Sequence, residues 1–227
     1  MVHCTVYPHE QEGNRVRAEI LKIHSDSPEV SLIKYAAEQI QAGKVLGMPT
    51  DTFYGLAADP FNLRAVERVY EIKSRSRHKP LSLLIENVDQ AEEFAGPLPD
   101  DFQLLARRFW PGPLTMIVPA ASHLPLKVTA NTGNVALRVP AAEIPLAVVR
   151  AAKIPITATS ANLSGAVECS TAEQVRDQLQ DRISLIVDGG ASPRSALSTI
   201  VQFNRDGSWE ILREGAIPAK EIIEALS

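Results

Sequence analysis

Apolar positions along the chain alternate between two rhythms. After a polar, unperiodic opening of about 16 residues, residues 18–24 read as a short strand. Ser27-Pro28-Glu29 then offers an N-cap followed by proline at the first helical position. Val30, Ile33, Ala37 and Ile40 recur at helical spacing until Gly43 ends the run. Residues 44–48 predict a strand that breaks at Pro49, and Leu63, Val66, Val69, Tyr70 and Ile72 mark a second helix. Residues 81–85 form a continuous apolar run suited to a strand covered on both faces. Helices over 88–95 and 100–109, strands over 114–118 and 135–139, a helix over 143–152 and a strand over 154–159 follow. The last third predicts a helix over 171–180, strands over 184–187, 199–203 and 209–213, and a closing helix from Pro218. This order predicts an α/β protein around a mixed sheet, with a hairpin at Asp206-Gly207 that keeps the sheet from being wholly parallel.

Composition narrows the class. The 227 residues are 45% hydrophobic and 22% charged, as in an ordinary globular chain, and show no repeat or low-complexity linker. The simplest organisation is an N-terminal arm (1–16) followed by one domain (17–227). No run of 18 apolar residues is present and the first residues lack a basic and apolar leader, so no membrane association and a cytoplasmic location are expected. Cys4 and Cys169 are too few for a disulfide framework or a structural zinc site.

The net charge of −4 argues against a protein built around bulk nucleic-acid binding, but it conceals a local excess. Residues 73–79 read Lys-Ser-Arg-Ser-Arg-His-Lys, with four cations and no acid, next to the apolar run at 81–85. Such a cluster can clamp a polyphosphate, arginine by its fork and lysine as a point charge; a solvated basic turn has the same composition. Two further clusters follow strands, where α/β proteins place ligands. Pro49-Thr50-Asp51-Thr52-Phe53-Tyr54-Gly55 packs hydroxyls, a carboxylate and a phenol together, and reads equally as a self-capped turn. Thr157-Ala158-Thr159-Ser160-Ala161-Asn162 combines small residues with donors, as a ligand loop or an N-cap would. There is no P-loop, no dinucleotide fingerprint, no His-Glu-x-x-His, no Gly-x-Ser-x-Gly and no Cys-x-x-Cys.

Taken in order, these pieces resemble the YrdC-like family of TsaC-type L-threonylcarbamoyladenylate synthases. The match runs through Pro49-Thr50-Asp51-Thr52 with Tyr54-Gly55-Leu56, Lys73-x-Arg75 with Pro80-Leu81, and Trp110-Pro111-Gly112-Pro113-x-Thr115. It continues through Arg138-x-Pro140, Ser160-Ala161-Asn162-x-Ser164-Gly165, Ser198-Thr199 and Arg213-x-Gly215, covering roughly residues 30–217. One position departs from it: relatives often carry proline after Lys-x-Arg, where this chain has Ser76.

The resemblance implies an open, twisted, mixed sheet in a single domain flanked by helices, with a positively charged concave ligand face, in the family's short form. It implies a reaction in which L-threonine, bicarbonate and ATP give threonylcarbamoyl-AMP and pyrophosphate. A downstream tRNA threonylcarbamoyl transferase complex would then modify adenosine 37. Lys73 and Arg75 are the implied catalytic cations. Together with Arg77 they would neutralise the ATP phosphates, while Thr115, Asn134, Ser160, Asn162 and Arg213 would hold the nucleotide. Thr50, Thr52, Tyr54, Ser82, Arg138 and Ser198 would form the L-threonine side, with Arg138 on its carboxylate. Mg²⁺ would ride on the phosphates, with no protein ligands assigned. Two other readings share these motifs: a domain handling carbamoyl-adenylate, and a module binding tRNA or double-stranded RNA on its basic face with steep salt dependence.

Overall fold

The chain leaves one sheet and joins another at a single residue, Ala158. The computed structural model describes residues 18–193 and 196–227; the expected arm 1–16 and Cys4 lie outside the described residues. The segment expected as one strand over 154–159 is divided into β7 (Ile156–Thr157) and β8 (Thr159–Ser160). Numbered with these in chain order, β2 (Leu46–Met48), β3 (Gly55–Ala57), β9 (Leu185–Asp188) and β1 (Glu19–Lys22) complete a five-stranded sheet in the order β1-β9-β2-β3-β8. The other sheet has six strands in the order β11-β10-β5-β6-β4-β7, built from β4 (Ser82–Leu84), β5 (Leu114–Pro119), β6 (Asn134–Arg138), β10 (Thr199–Phe203) and β11 (Trp209–Arg213). Both are mixed: β2 runs parallel to β9 and antiparallel to β3, and β6 runs parallel to β4 and antiparallel to β5. The α/β class and the mixed pairing agree with the sequence, but the expected single sheet is two.

Alternation within the strands explains how both sheets are packed. In β9, Leu185 and Val187 join the cluster that includes Ile33, Ile40 and Val148, whereas Ile186 joins Val175 and Leu179. The first group belongs to α1 (Val30–Gln41) and α6 (Glu143–Ala152), the second to α7 (Ala172–Leu179). Helices therefore cover both faces, which is why β9 reads as an unbroken apolar run. In the six-stranded sheet, Leu83, Leu114, Met116, Val118, Val135, Leu137, Val201 and Phe203 enter the main core. They pack there with α2 (Leu63–Lys73), α3 (Val88–Phe94), α4 (Asp100–Phe109), α5 (Leu126–Thr129) and α8 (Ala219–Ala225). Their sequence neighbours Ser82, Leu84, Thr115, Ile117, Ala136, Arg138 and Ile200 turn to the opposite face, which floors a cleft.

Local chemistry sets most boundaries. Asn62 caps α2 by accepting from Arg64 N and Ala65 N, and Thr171 caps α7 by accepting from Gln174 N. The Ser27-Pro28 start does not hold. The residue before α1 is Glu29, in extended conformation, and its carboxylate accepts from His24 N (3.0 Å) instead of capping the helix. β3 and the one-turn α5 were not expected: β3 is three residues inside the polar cluster after Pro49, and α5 is too short to show a helical period. Among the described residues, no helix is long and apolar enough to cross a membrane.

Candidate active site

A cleft of ≈ 530 Å³ lies on the face of the six-stranded sheet turned away from the main core. Ten of the sequence-predicted residues line it: Thr50, Thr52, Tyr54, Arg75, Ser82, Thr115, Ser160, Arg138, Ser198 and Arg213. A second cleft of ≈ 520 Å³ is lined by Lys73, Asn162, Ser164, Gly165 and Glu168, and shares Arg75, Lys79, Ser160, Leu197 and Arg213 with the first. Among the described residues, four cations and one carboxylate line this second cleft.

Lys73 ends α2 and is 1% exposed. Its ammonium donates to Asn162 Oδ1 (2.8 Å), Asn162 O (2.9 Å) and Ser160 O. Ser164 N donates back to Lys73 O (2.9 Å), so the end of α2 is tied to the 160–164 loop in both directions. Burial, followed by the charge of Arg75, lowers the Lys73 pKa to about 8. Lys73, expected to neutralise the ATP phosphates, lines the second cleft, and its ammonium also holds the loop that forms one wall of it. Arg75 is anchored to Pro80 O (3.1 Å) and faces both clefts.

Arg138 is likewise engaged from within. Its guanidinium donates to Asp51 Oδ1 (2.6 Å), Thr52 Oγ1 (3.1 Å) and Gly112 O (2.9 Å). The Asp51–Arg138 ion pair is buried on both sides, and Asp51, which was not among the expected site residues, already offsets the charge assigned to a substrate carboxylate. Thr50 Oγ1 stands 3.0 Å from Thr52 Oγ1 and 2.7 Å from Phe53 O, so the threonine-rich turn is both self-capped and part of the cleft wall.

Tyr54 does not present its hydroxyl to the cleft. The OH donates to Gly190 O (2.7 Å), and burial, with Asp188 nearby, raises its pKa. Arg213 clamps Ser198 through two donors to Ser198 O (2.8 and 3.1 Å), while Ser198 Oγ meets Thr115 Oγ1 (2.9 Å). Gly215 is required beside this clamp, because a Cβ there would overlap the Leu197 carbonyl and lie 2.7 Å from the Ser198 carbonyl group.

Two expected residues are in neither cleft. Arg77 pairs with Glu67, which also holds Lys127 (3.1 Å), at a separate surface. Asn134 opens β6 at the opposite end from Arg138, four strand positions away or roughly 13 Å. Lys79, Glu168, Ile117 and Leu212 were not singled out although they line the clefts. Lys79 carried a signal as the last cation of the basic run, and Ile117 could have been read from the two-residue beat of β5. Cys169 is buried, and burial raises its thiol pKa, in keeping with an inert packing residue.

The chain is similar in sequence and fold to known proteins. A threonylcarbamoyl-AMP synthase of Bacillus subtilis is 40% identical over 86% of this chain, and one of Pyrococcus abyssi is 37% identical over 84%. The chain spans 56% of the length of each of these curated relatives. The structure of P. abyssi Sua5 complexed with L-threonine superposes with a TM-score of 0.88 at 34% identity, covering 92% of this chain and 61% of that one. The Sua5/YciO/YrdC family model, described as telomere recombination, matches residues 38–215. With that match spanning most of its length and every strand that lines the two clefts, the chain belongs to the Sua5/YciO/YrdC family.

Proposed function

We propose that this chain condenses L-threonine, bicarbonate and ATP into threonylcarbamoyl-AMP, releasing pyrophosphate, for transfer by a tRNA-modifying complex to adenosine 37. The observation that carries this reading is the meeting of two clefts, one lined by hydroxyls and Arg138, the other by cations, at Arg75, Lys79, Ser160 and Arg213. An amino acid in the first and a polyphosphate in the second would bring their reacting ends to these shared residues.

Threonine's amine attacks the carbon of bicarbonate or CO2, forming the C–N bond of a carbamate; from bicarbonate, water is lost. A carbamate oxygen then attacks the α-phosphorus of ATP, and the bond from that phosphorus to the bridging oxygen breaks as pyrophosphate leaves. As the carbamate forms, the free amine gives up one proton, to solvent when CO2 is attacked or within the lost water when bicarbonate is, and alignment and charge neutralisation supply the rate. Arg75, Lys79 and Arg213 meet the phosphates directly, and Lys73 keeps the Ser160–Asn162 wall in place beside them. Thr50, Thr52, Ser82 and Ser198 provide the polar contacts of the amino-acid side, with Arg138 held in its wall by Asp51.

Among the described residues no group of three His, Cys, Asp or Glu side chains is close enough to share a metal ion. That donor set fits a Mg²⁺ carried on ATP, which keeps water and few protein ligands; Glu168 is the carboxylate available to it, and the ion would shield phosphate charge. The test is pyrophosphate release from ATP with threonine and bicarbonate omitted in turn. Release requiring both, with the mass of threonylcarbamoyl-AMP in the product, is expected. Release without threonine would leave the carbamoyl-adenylate reading in its place.

A further inference from the structure

A third cavity, of ≈ 310 Å³, lies beside the Thr50–Thr52 turn and shares only Thr50 with the larger cleft. Its wall includes Ser25, Asp26, Asp51, Glu143 and Ser192, and among the described residues it contains three carboxylates and no lysine, arginine or histidine. Among the described residues, just two buried side-chain polar atoms have no hydrogen-bond partner, Asp51 Oδ2 and Ser192 Oγ. Both belong to the wall of this one cavity. Asp51 is 5% exposed, and its other oxygen is already held by Arg138. A buried carboxylate oxygen left without a partner is costly, and proteins ordinarily supply one.

The rest of the wall is consistent with an open, negatively polarised site. The N-terminus of α6 reaches the cavity at Ala142, and Glu143 in its first turn offsets the positive helix end. A side chain at Gly189 would collide with Ile144 Cδ1 and come within 3.0 Å of Pro49 Cγ, so glycine keeps that wall clear. Among the described residues no three carboxylates converge, so the wall does not form the nest that a divalent ion would take.

We propose that this cavity binds a small monovalent cation, an alkali metal ion or a protonated amine. Asp51 Oδ2 and Ser192 Oγ are its contacts, and Asp26 and Glu143 supply the field. Such an ion answers the orphaned carboxylate oxygen and also Asp26 and Glu143, which have no ion pair among the described residues, whereas water answers only the first. Because Asp51 grips Arg138 through its other oxygen, the cation and the guanidinium would share one carboxylate across the Thr50–Thr52 turn.

The experiment is a thermal melt of the full chain in potassium, sodium, ammonium, methylammonium and choline chlorides at equal ionic strength. Choline carries its charge behind methyl groups and serves as the reference. A saturable rise of about 3–6 °C over choline, at roughly ten times the dissociation constant, is expected for the cation that fits. Alkali salts against the two amines identify the source. Ser192→Ala and Glu143→Gln leave the Asp51–Arg138 pair intact and should each cut the rise by at least about half. Asp51→Asn should abolish it; because that change also breaks a buried pair, the two milder variants decide the matter. Equal melting in all five salts would leave the cavity to water and overturn the proposal. A rise that both variants retain would overturn it as well, by placing the ion elsewhere.

Discussion

The Lys73 ammonium lies 2.8 Å from Asn162 Oδ1, and the two residues are 89 positions apart in the chain. The contact converts the last residue of a helix into the support of a distant loop. Lys73→Met would leave the Ser160 and Asn162 carbonyls short of a donor. A loss of about 2–4 kcal/mol is expected from two buried acceptors left unsatisfied. Urea denaturation checks this, and pyrophosphate release should fall in parallel because the second cleft loses a wall.

The depressed pKa of Lys73, about 8, has two consequences of opposite sign. Between about 8 and the ordinary lysine value the unfolded chain holds a proton that the folded chain has released. Stability from this group therefore rises with pH across that window, and its disadvantage is fully present below it. The stability difference between wild type and Lys73→Met should shift in favour of wild type from pH 8 to 10. Nucleotide affinity should move the other way, weakening as the ammonium loses its charge. Urea midpoints and ATP titrations across this range test both.

Asp51 and Arg138 stabilise each other in a buried setting, so each is expected to be worse alone than absent together. Asp51→Asn or Arg138→Met should cost about 3–5 kcal/mol by stranding a buried charge. The double variant should cost clearly less than the sum, and a double-mutant cycle measures the shortfall. Additive costs would mean that the pair is not coupled.

Arg75 and Arg77 differ by two positions and should differ widely in effect. Arg77→Ala removes an exposed pair with Glu67 and should leave the KM for ATP within about twofold, as befits a surface ion pair. Arg75→Ala removes a cation common to both clefts and should lower kcat/KM by roughly 100-fold or more. Steady-state kinetics of the two variants separates the reading from one in which the whole basic run acts together.

Gly215→Ala would push β11 away from Leu197 and Ser198. A loss of about 1–3 kcal/mol is expected from overpacking against backbone, together with a raised KM for ATP as Arg213 is displaced from Ser198. A melting curve and an ATP titration measure the two effects.

Local order was largely legible in the sequence because helical spacing and strand runs are short-range signals. α2, α6 and β5 come out where the periodicity places them. The division of residues 156–160 between two sheets was not legible, since Ile156 and Thr159 take their partners from strands over 70 residues earlier. The same distance hid the roles of charged groups. The basic run announces cations, but which of them face the clefts depends on how the turn after α2 is folded and on Glu67. Arg138 announces an anion partner, and only the fold shows that Asp51, 87 residues away, is one.

The two-residue beat of β5 has a consequence for how variation in this chain is interpreted. Met116 is sealed in the core, while Thr115 and Ile117 on either side of it look into the cleft. Adjacent codons therefore answer to different assays: changes at 114, 116 and 118 will be seen in protein yield and heat tolerance, those at 115 and 117 in turnover of a protein that is still made. A scan of single substitutions along this strand should oscillate between the two kinds of defect, and the phase of that oscillation would locate the ligand face without any ligand being present.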